Sequence, residues 1–185
     1  MKKSAIIVID MLNEYLRSDG LVYCEQCKEI IPIISDCINF ARKNNILVIY
    51  LNTALNNEKD ILAKKWGLHA VAGSVGAQVI EELKPVEGDL VIKKKSYNGF
   101  FNTTLDSELK YREIKDIAIT GIHTHVCVLL TAVGGFELGY NVTTIEDAIT
   151  TGYKPNHESR LRFFKTHTGD LVSSAEWKNK MNKNV

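Results

Sequence analysis

Three kinds of side chain in this sequence have the types that acyl transfer needs, and each stands at or just after the end of an apolar, β-branched run. Asp10 closes AIIVID; Lys93, Lys94 and Lys95 close DLVIK and extend it; Cys127 follows DIAITG after a short loop, where a helical pattern begins. A thiol attacks as its thiolate, a form favoured by a nearby ammonium and by a helix N-terminus. A neighbouring carboxylate can take the thiol proton and later hand it to a leaving amine. Carboxylate and ammonium in a partly buried site also keep each other ionised. Each group has an ordinary alternative: an Asp at a strand end forms a turn or cap, a lysine run is a solvated face, and a Cys early in an apolar helix is core. Their joint placement favours chemistry, although the residues alone do not choose among the three lysines.

That placement rests on the elements around them. Runs at 5–10, 46–52, 89–93, 116–121 and 141–147 read as strands, with a weaker one near 168–172. Helical patterns lie between them at 25–44, 74–84, 103–113, 125–139 and 156–166. Strands that are apolar almost throughout are buried on both faces, and their alternation with helices predicts an open α/β sheet. Ligands of such sheets bind at the carboxyl ends of the strands, near the point where the strand order reverses. Asp10, the lysines and Cys127 would therefore meet along one edge. The polar tail SAEWKNKMNKNV reads as a short helix or a frayed end, with Trp177 free to pack on a neighbouring subunit.

Bulk properties narrow the classes. A length of 185 residues suits a single domain spanning 1–185 with a core of its own. A net charge of +1 gives no reason to expect nucleic acid or an anionic membrane as partner. The apolar start is interrupted by Asp10 and Glu14, too early for a signal peptide, so the expected location is the cytoplasm. There is no G-x-x-x-x-G-K-[ST], no G-x-G-x-x-G after the first strand and no G-x-S-x-G elbow. Of the four cysteines, Cys24 and Cys27 form one CxxC, but no second pair or nearby histidine follows and no clear strand precedes it. They read as structural cysteines rather than a zinc or redox site.

At these same residues the chain resembles the isochorismatase-like hydrolases, over nearly its whole length. AIIVIDMLNEY is similar to that family's opening strand with its catalytic Asp. VIKKKSYNGFFNTTLDSEL resembles its Lys-x-x-Tyr-x-x-Phe segment, a register that selects Lys94. ITGIHTHVCVLLTAVGGFELGYNVTTIEDA resembles its nucleophile segment. The resemblance implies a three-layer α/β/α fold around a mostly parallel sheet of about six strands, with Asp10, Lys94 and Cys127 as the catalytic set. It also implies a cis peptide at Ile122–His123, with the backbone N–H groups of His123 and Cys127 as oxyanion hole. Trp66 and His69 align with the family's pocket wall, and Tyr15, Asn52, Tyr97 and Phe100 are further candidates for contact with substrate. Metal-binding nicotinamidases carry Asp-x-His where this chain has Asn52 and Ala54, leaving only His69, so no metal or other cofactor is expected. Leu12, and His125 two residues before the Cys, are further departures. The ensemble looks closer to the N-carbamoylsarcosine amidase-related branch.

The function these observations lead to expect is cysteine-dependent hydrolysis of a small amide or carbamoyl C–N bond, in the manner of an N-carbamoylsarcosine amidase or a nicotinamidase, with release of ammonia. A histidine base at His123 or His125 is a lesser alternative, since Asp10 already supplies a base. An isochorismatase-type vinyl-ether hydrolase needs no thiol, and a non-enzymatic binding or assembly scaffold has no use for the full set. The resemblance also implies a homo-oligomer, a dimer or larger, for which light scattering at micromolar concentration is the check; a monomer there refutes it.

Overall fold

The computed structural model describes residues 3–183, so the extreme ends of the 1–185 reading and of the tail lie outside the described residues. The chain runs β1 (Ser4–Ile9), α1 (Asn13–Leu16), a 3-10 stretch (Glu25–Ile30), α2 (Ile31–Lys43), β2 (Leu47–Thr53), α3 (Ile61–Trp66) and β3 (Leu90–Lys94). It continues through α4 (Leu105–Tyr111), β4 (Asp116–Ile122), a wide turn (Thr124–Val128) into α5 (Leu129–Glu137), β5 (Asn141–Thr150), α6 (Lys154–Phe163), β6 (Gly169–Val172) and α7 (Ser174–Asn182). The six strands form one sheet in the order β3-β2-β1-β4-β5-β6, parallel throughout. No helix among the described residues is long and apolar enough to cross a membrane.

Burial on both faces explains the unbroken apolar strands. Ile6 and Val8 pack on one side with Ile34, Cys37, Ile38 and Ala41 of α2, a stripe at helical spacing. Ala5, Ile7 and Ile9 face the other side with Leu105, Leu109, Val128 and Ala132. Each Val, Leu or Ile side chain among them contributes ~1.5–3 kcal/mol on burial. Pro32 sits in the first turn of α2, and Arg42 and Lys43 close it, a favourable charge at a helix C-terminus.

The chain enters at mid-sheet, builds outward to β3, then crosses back to lay β4 beside β1. This reversal is the switch point, and registers align the strand ends there: Ile9 pairs with Leu51 and Gly121, and Thr53 pairs with Lys94. The ends of β1, β2, β3 and β4 therefore bring their following residues to one edge.

Two expectations are corrected. The helix expected at 74–84 is only a 3-10 turn at Glu81–Leu83. Gly73 has φ +86°, and the backbone before that turn bonds to the loop after β1: Glu14 N–H to Gly76 O (2.9 Å), Asn13 N–H to Gln78 O (2.9 Å) and Ile80 N–H to Met11 O (3.1 Å). Groups so engaged cannot close a helix. The tail forms α7, started by a Ser173–Glu176 capping box, and Trp177 is buried against Phe40 of the same chain at 5.5 Å between ring centres. Trp177 thus gives no support to an oligomer.

Gly121 bears most directly on the edge. Its φ is +108°, and a Cβ there would stand 2.1 Å from the Ile9 carbonyl oxygen. Gly139 has a similar φ of +81° but nothing within 4 Å. Gly139→Ala should cost only the left-handed penalty, roughly 1–2 kcal/mol. Gly121→Ala adds overpacking against backbone and should cost at least about 2 kcal/mol more than Gly139→Ala. Urea denaturation of both variants checks this; equal losses would mean that β1 yields freely at Ile9.

Candidate active site

Asp10 follows β1 with φ +54°, and its N–H donates to Leu51 O (3.1 Å). Its Oδ1 accepts the Thr53 N–H (2.7 Å) and its Oδ2 pairs with Lys94 Nζ at 2.8 Å. Lys94 closes β3 and is 1% exposed. Its Nζ also lies 2.8 Å from Thr53 Oγ1, 3.2 Å from Ser96 O and 3.4 Å from Cys127 Sγ. The Asp10 charge also acts on the thiol. The ammonium thus contacts both carboxylate and thiol, and of the three adjacent lysines it is Lys94 that reaches them. Lys95 pairs instead with Asp60 on the surface (3.1 Å).

Burial and charge set the protonation states. Burial opposes the charge on Lys94, but the Asp10 carboxylate and the Cys127 sulfur outweigh it and hold the ammonium above its ordinary range. Burial pushes the Cys127 thiol up to about 12; the Lys94 charge pulls it down and the Asp10 charge pushes it up again. Burial thus works against a standing thiolate at Cys127. The reason is that Lys94 is already neutralised by Asp10, while the sulfur has lost its water. Burial, followed by the charge of Asp10, likewise raises the Tyr15 hydroxyl well above its usual range. Burial drives His123 down to about 4, so its imidazole is neutral at pH 7.

Asp10 and Cys127 line a cavity of ≈ 460 Å³, which Lys94 does not reach. Tyr15, Trp66, His69 and Tyr97 line it, as expected. Trp66 Nε1 donates to the Tyr97 hydroxyl (2.6 Å), and the Tyr15 ring lies edge-on to His69 and His123 at 6.1 and 6.0 Å. His69 donates from Nδ1 to Gly67 O (2.8 Å), because a carbonyl only accepts. A separate groove of ≈ 610 Å³ follows the opposite, amino-terminal edge of the sheet and reaches none of the three groups.

Two candidates do not line the cavity. Phe100 stacks on Tyr140 at 5.6 Å and packs over Gly135 of α5. Asn52 is buried within β2, where side chains alternate, so it is Thr53 that faces Lys94. Thr53 escaped the sequence reading, although as the residue after Asn52 it ends a strand at the same edge. Gln26 and Tyr23 from the first loop, and Thr151, Tyr153 and Asn156 from the stretch after β5, also line the cavity. Tyr23, Thr151 and Tyr153 stand outside helices, and Gln26 and Asn156 sit in the first turn of short ones, so no periodicity marks them.

The peptide bond Ile122–His123 is cis. The His123 carbonyl accepts from the N–H groups of Val126 (3.0 Å) and Val128 (3.3 Å), which flank Cys127 in this turn. At the position of the relatives' metal ligands stand a neutral amide (Asn52), a methyl group (Ala54) and one imidazole (His69), of which Asn52 and Ala54 are strand-side residues buried to 4% and 3% exposure. This set carries no carboxylate and does not fit a divalent cation.

The Isochorismatase domain family matches residues 4–176. The uncharacterized isochorismatase family protein YwoC of Bacillus subtilis (strain 168) is 29% identical over 181 residues, covering 95% of this chain and 93% of that protein. An isochorismatase-like hydrolase from Alkaliphilus metalliredigens superposes with a TM-score of 0.91 at 29% identity, covering 96% of this chain and 98% of the other. The N-carbamoylsarcosine amidase from Thermoplasma acidophilum does so with a TM-score of 0.84 at 28% identity, covering 93% and 96%. The chain belongs to the isochorismatase family of hydrolases.

The protonation states make a kinetic prediction. Below a thiol pKa of about 12 the thiolate fraction rises with pH, so iodoacetamide labelling of Cys127 should climb about tenfold per pH unit from pH 7 to 9 without levelling. Asp10→Asn removes the charge that raises the thiol and should speed labelling at pH 7; Lys94→Ala should slow it. Peptide mapping after timed alkylation reads all of these. A plateau by pH 7 would show a thiolate already formed. In the same variants, leaving Asp10 buried without its partner in Lys94→Ala should cost ~3–5 kcal/mol of stability, measured by urea unfolding.

Proposed function

We propose that this chain is a cysteine hydrolase that cleaves the C–N bond of a small amide or carbamoyl compound through a thioester. Asp10 accepts the thiol proton as Cys127 Sγ attacks the carbonyl carbon. The oxyanion that forms takes hydrogen bonds from the backbone N–H groups of His123 and Cys127, each donor worth about 3 kcal/mol. Asp10 then gives its proton to the leaving nitrogen and ammonia departs. Water, deprotonated by the same carboxylate, resolves the thioester. Lys94 keeps Asp10 ionised and balances charge on sulfur. The observation that carries this reading is a buried ammonium in contact with both a thiol and a buried carboxylate, the latter two lining one cavity.

The cavity wall narrows the acyl group. It is formed by Tyr15, Trp66, His69, Tyr97, His123 and Tyr153 among others, and no Arg or Lys is among the lining residues. An uncharged, flat acyl group suits such a wall better than one bearing a free carboxylate, which asks for a fixed cation. Likeness to an N-carbamoylsarcosine amidase supports C–N hydrolysis and leaves the substrate to be measured. A vinyl-ether hydrolase would have no use for the thiol.

Ammonia release should be measured against aromatic carboxamides, N-carbamoyl amino acids, ureido compounds and biuret, with isochorismate as the contrasting substrate. The expected result is turnover of an uncharged amide, abolished in Cys127→Ala and reduced ~10²–10⁴-fold in Asp10→Asn. Faster turnover of N-carbamoyl amino acids would reverse the acyl preference. Isochorismate cleavage that survives Cys127→Ala would overturn the thioester route, and no turnover of any of them would favour a binding role.

A further inference from the structure

Cys24 and Cys27 were read from sequence as structural because no histidine lies near them in the chain. In three dimensions one does. Cys27 Sγ is 3.8 Å from Nδ1 of His123, which is 96 residues away at the end of β4. The ligand atoms of Cys24, Cys27 and His123 all lie within 4.8 Å of one another. The cysteines begin the 3-10 stretch, with Cα atoms 5.4 Å apart, and are joined as a disulfide in the present form.

We propose that, when the disulfide is reduced, Cys24, Cys27 and His123 form a binding site for a zinc-like divalent ion, separate from the Asp10–Lys94–Cys127 cluster. A dithiol reductant supplies two electrons and two protons, breaks the S–S bond and is itself oxidised to a disulfide. The ion then displaces both thiol protons and takes the two sulfurs and the imidazole nitrogen. Two thiolates balance a 2+ charge, so the filled site is neutral, as a poorly hydrated position requires.

The donor set selects the ion. Two soft thiolates and an imidazole suit zinc or cobalt and reject magnesium or calcium, which take oxygen. With bonds of ~2.3 Å to sulfur and ~2.0–2.1 Å to nitrogen, tetrahedral ligands stand about 3.6–3.8 Å apart, close to the observed Cys27–His123 contact. The imidazole is able to turn its lone pair to the ion. Thr151 Oγ1 lies 3.3 Å from Nδ1 of His123 and 3.1 Å from Nδ1 of His125, and a hydroxyl with one proton donates to only one of them. With that proton on His125, His123 faces the sulfurs. Cys24 and His123 both line the cavity, so a fourth position opens toward it.

The test uses the full chain carrying Cys127→Ser, so that the catalytic-cluster thiol cannot serve as a ligand, and reads metal binding without turnover. Reduced protein, freed of reductant, is titrated with cobalt(II). Expected are about one equivalent bound, a thiolate-to-cobalt charge-transfer band, and visible bands of tetrahedral intensity that zinc(II) bleaches. Oxidised protein should give none of these and regain them on reduction. Cys24→Ser/Cys27→Ser should lose them, and His123→Ala should bind at least about tenfold more weakly. Binding that survives oxidation, or a weak octahedral spectrum in the reduced chain, would overturn the proposal. The oxidised control keeps this decisive even if the serine variant fails to fold.

Discussion

The ion pair between Asp10 and Lys94 is the constraint around which the edge of the sheet is organised. Removing both ions from water costs several kcal/mol each, and a bare Coulomb attraction does not offset that loss. Here the remaining hydrogen-bonding capacity is filled: Asp10 by the Thr53 N–H, Lys94 by the Thr53 hydroxyl, the Ser96 carbonyl and the Cys127 sulfur. Those partners come from the ends of β2 and β3 and from the turn after β4, while Asp10 follows β1. A shift of one residue in any of these registers would turn the partner side chain to the opposite face. The all-parallel order and the pairing of Thr53 with Lys94 are what make a buried lysine tolerable.

The same pair decides how the thiol behaves. An unpaired ammonium 3.4 Å from sulfur would favour a standing thiolate. Paired, it offers the sulfur a dipole whose negative end is also within reach. Burial and the Asp10 charge push the thiol pKa up, and the Lys94 charge opposes them. Such an arrangement favours proton transfer coupled to attack over storage of a reactive anion.

His123 stands between two chemistries. Its backbone follows the cis peptide beside the Cys127 turn, and its ring contacts Cys27 and Thr151 on the other side. The first loop, which carries the CxxC, reaches over the carboxyl edge and supplies part of the cavity wall. Asn52 and Ala54, at the positions where the family resemblance implies metal ligands, are buried residues without a carboxylate. Sulfur and imidazole converge a short distance away instead.

The six strands, their parallel order and the placement of Asp10, a lysine and Cys127 at their ends were legible because burial on both faces writes continuous apolar runs, and each run stops where the chain leaves the sheet. Helices with an apolar stripe, such as α2, were legible for the same reason. The segment at 74–84 was not, since its backbone bonds go to Met11–Glu14, which no local pattern encodes. Nor was the choice of Thr53 over Asn52, which turns on strand phase at a terminus. Trp177 read as a contact for a neighbouring subunit because its neighbours in sequence are polar, yet Phe40 of the same chain packs on it. The protonation of Cys127 and the approach of His123 to the CxxC were decided by tertiary structure alone. Both depend on distances of 3–4 Å between residues tens of positions apart, and on loss of water, and a linear sequence records residue types but neither of those quantities.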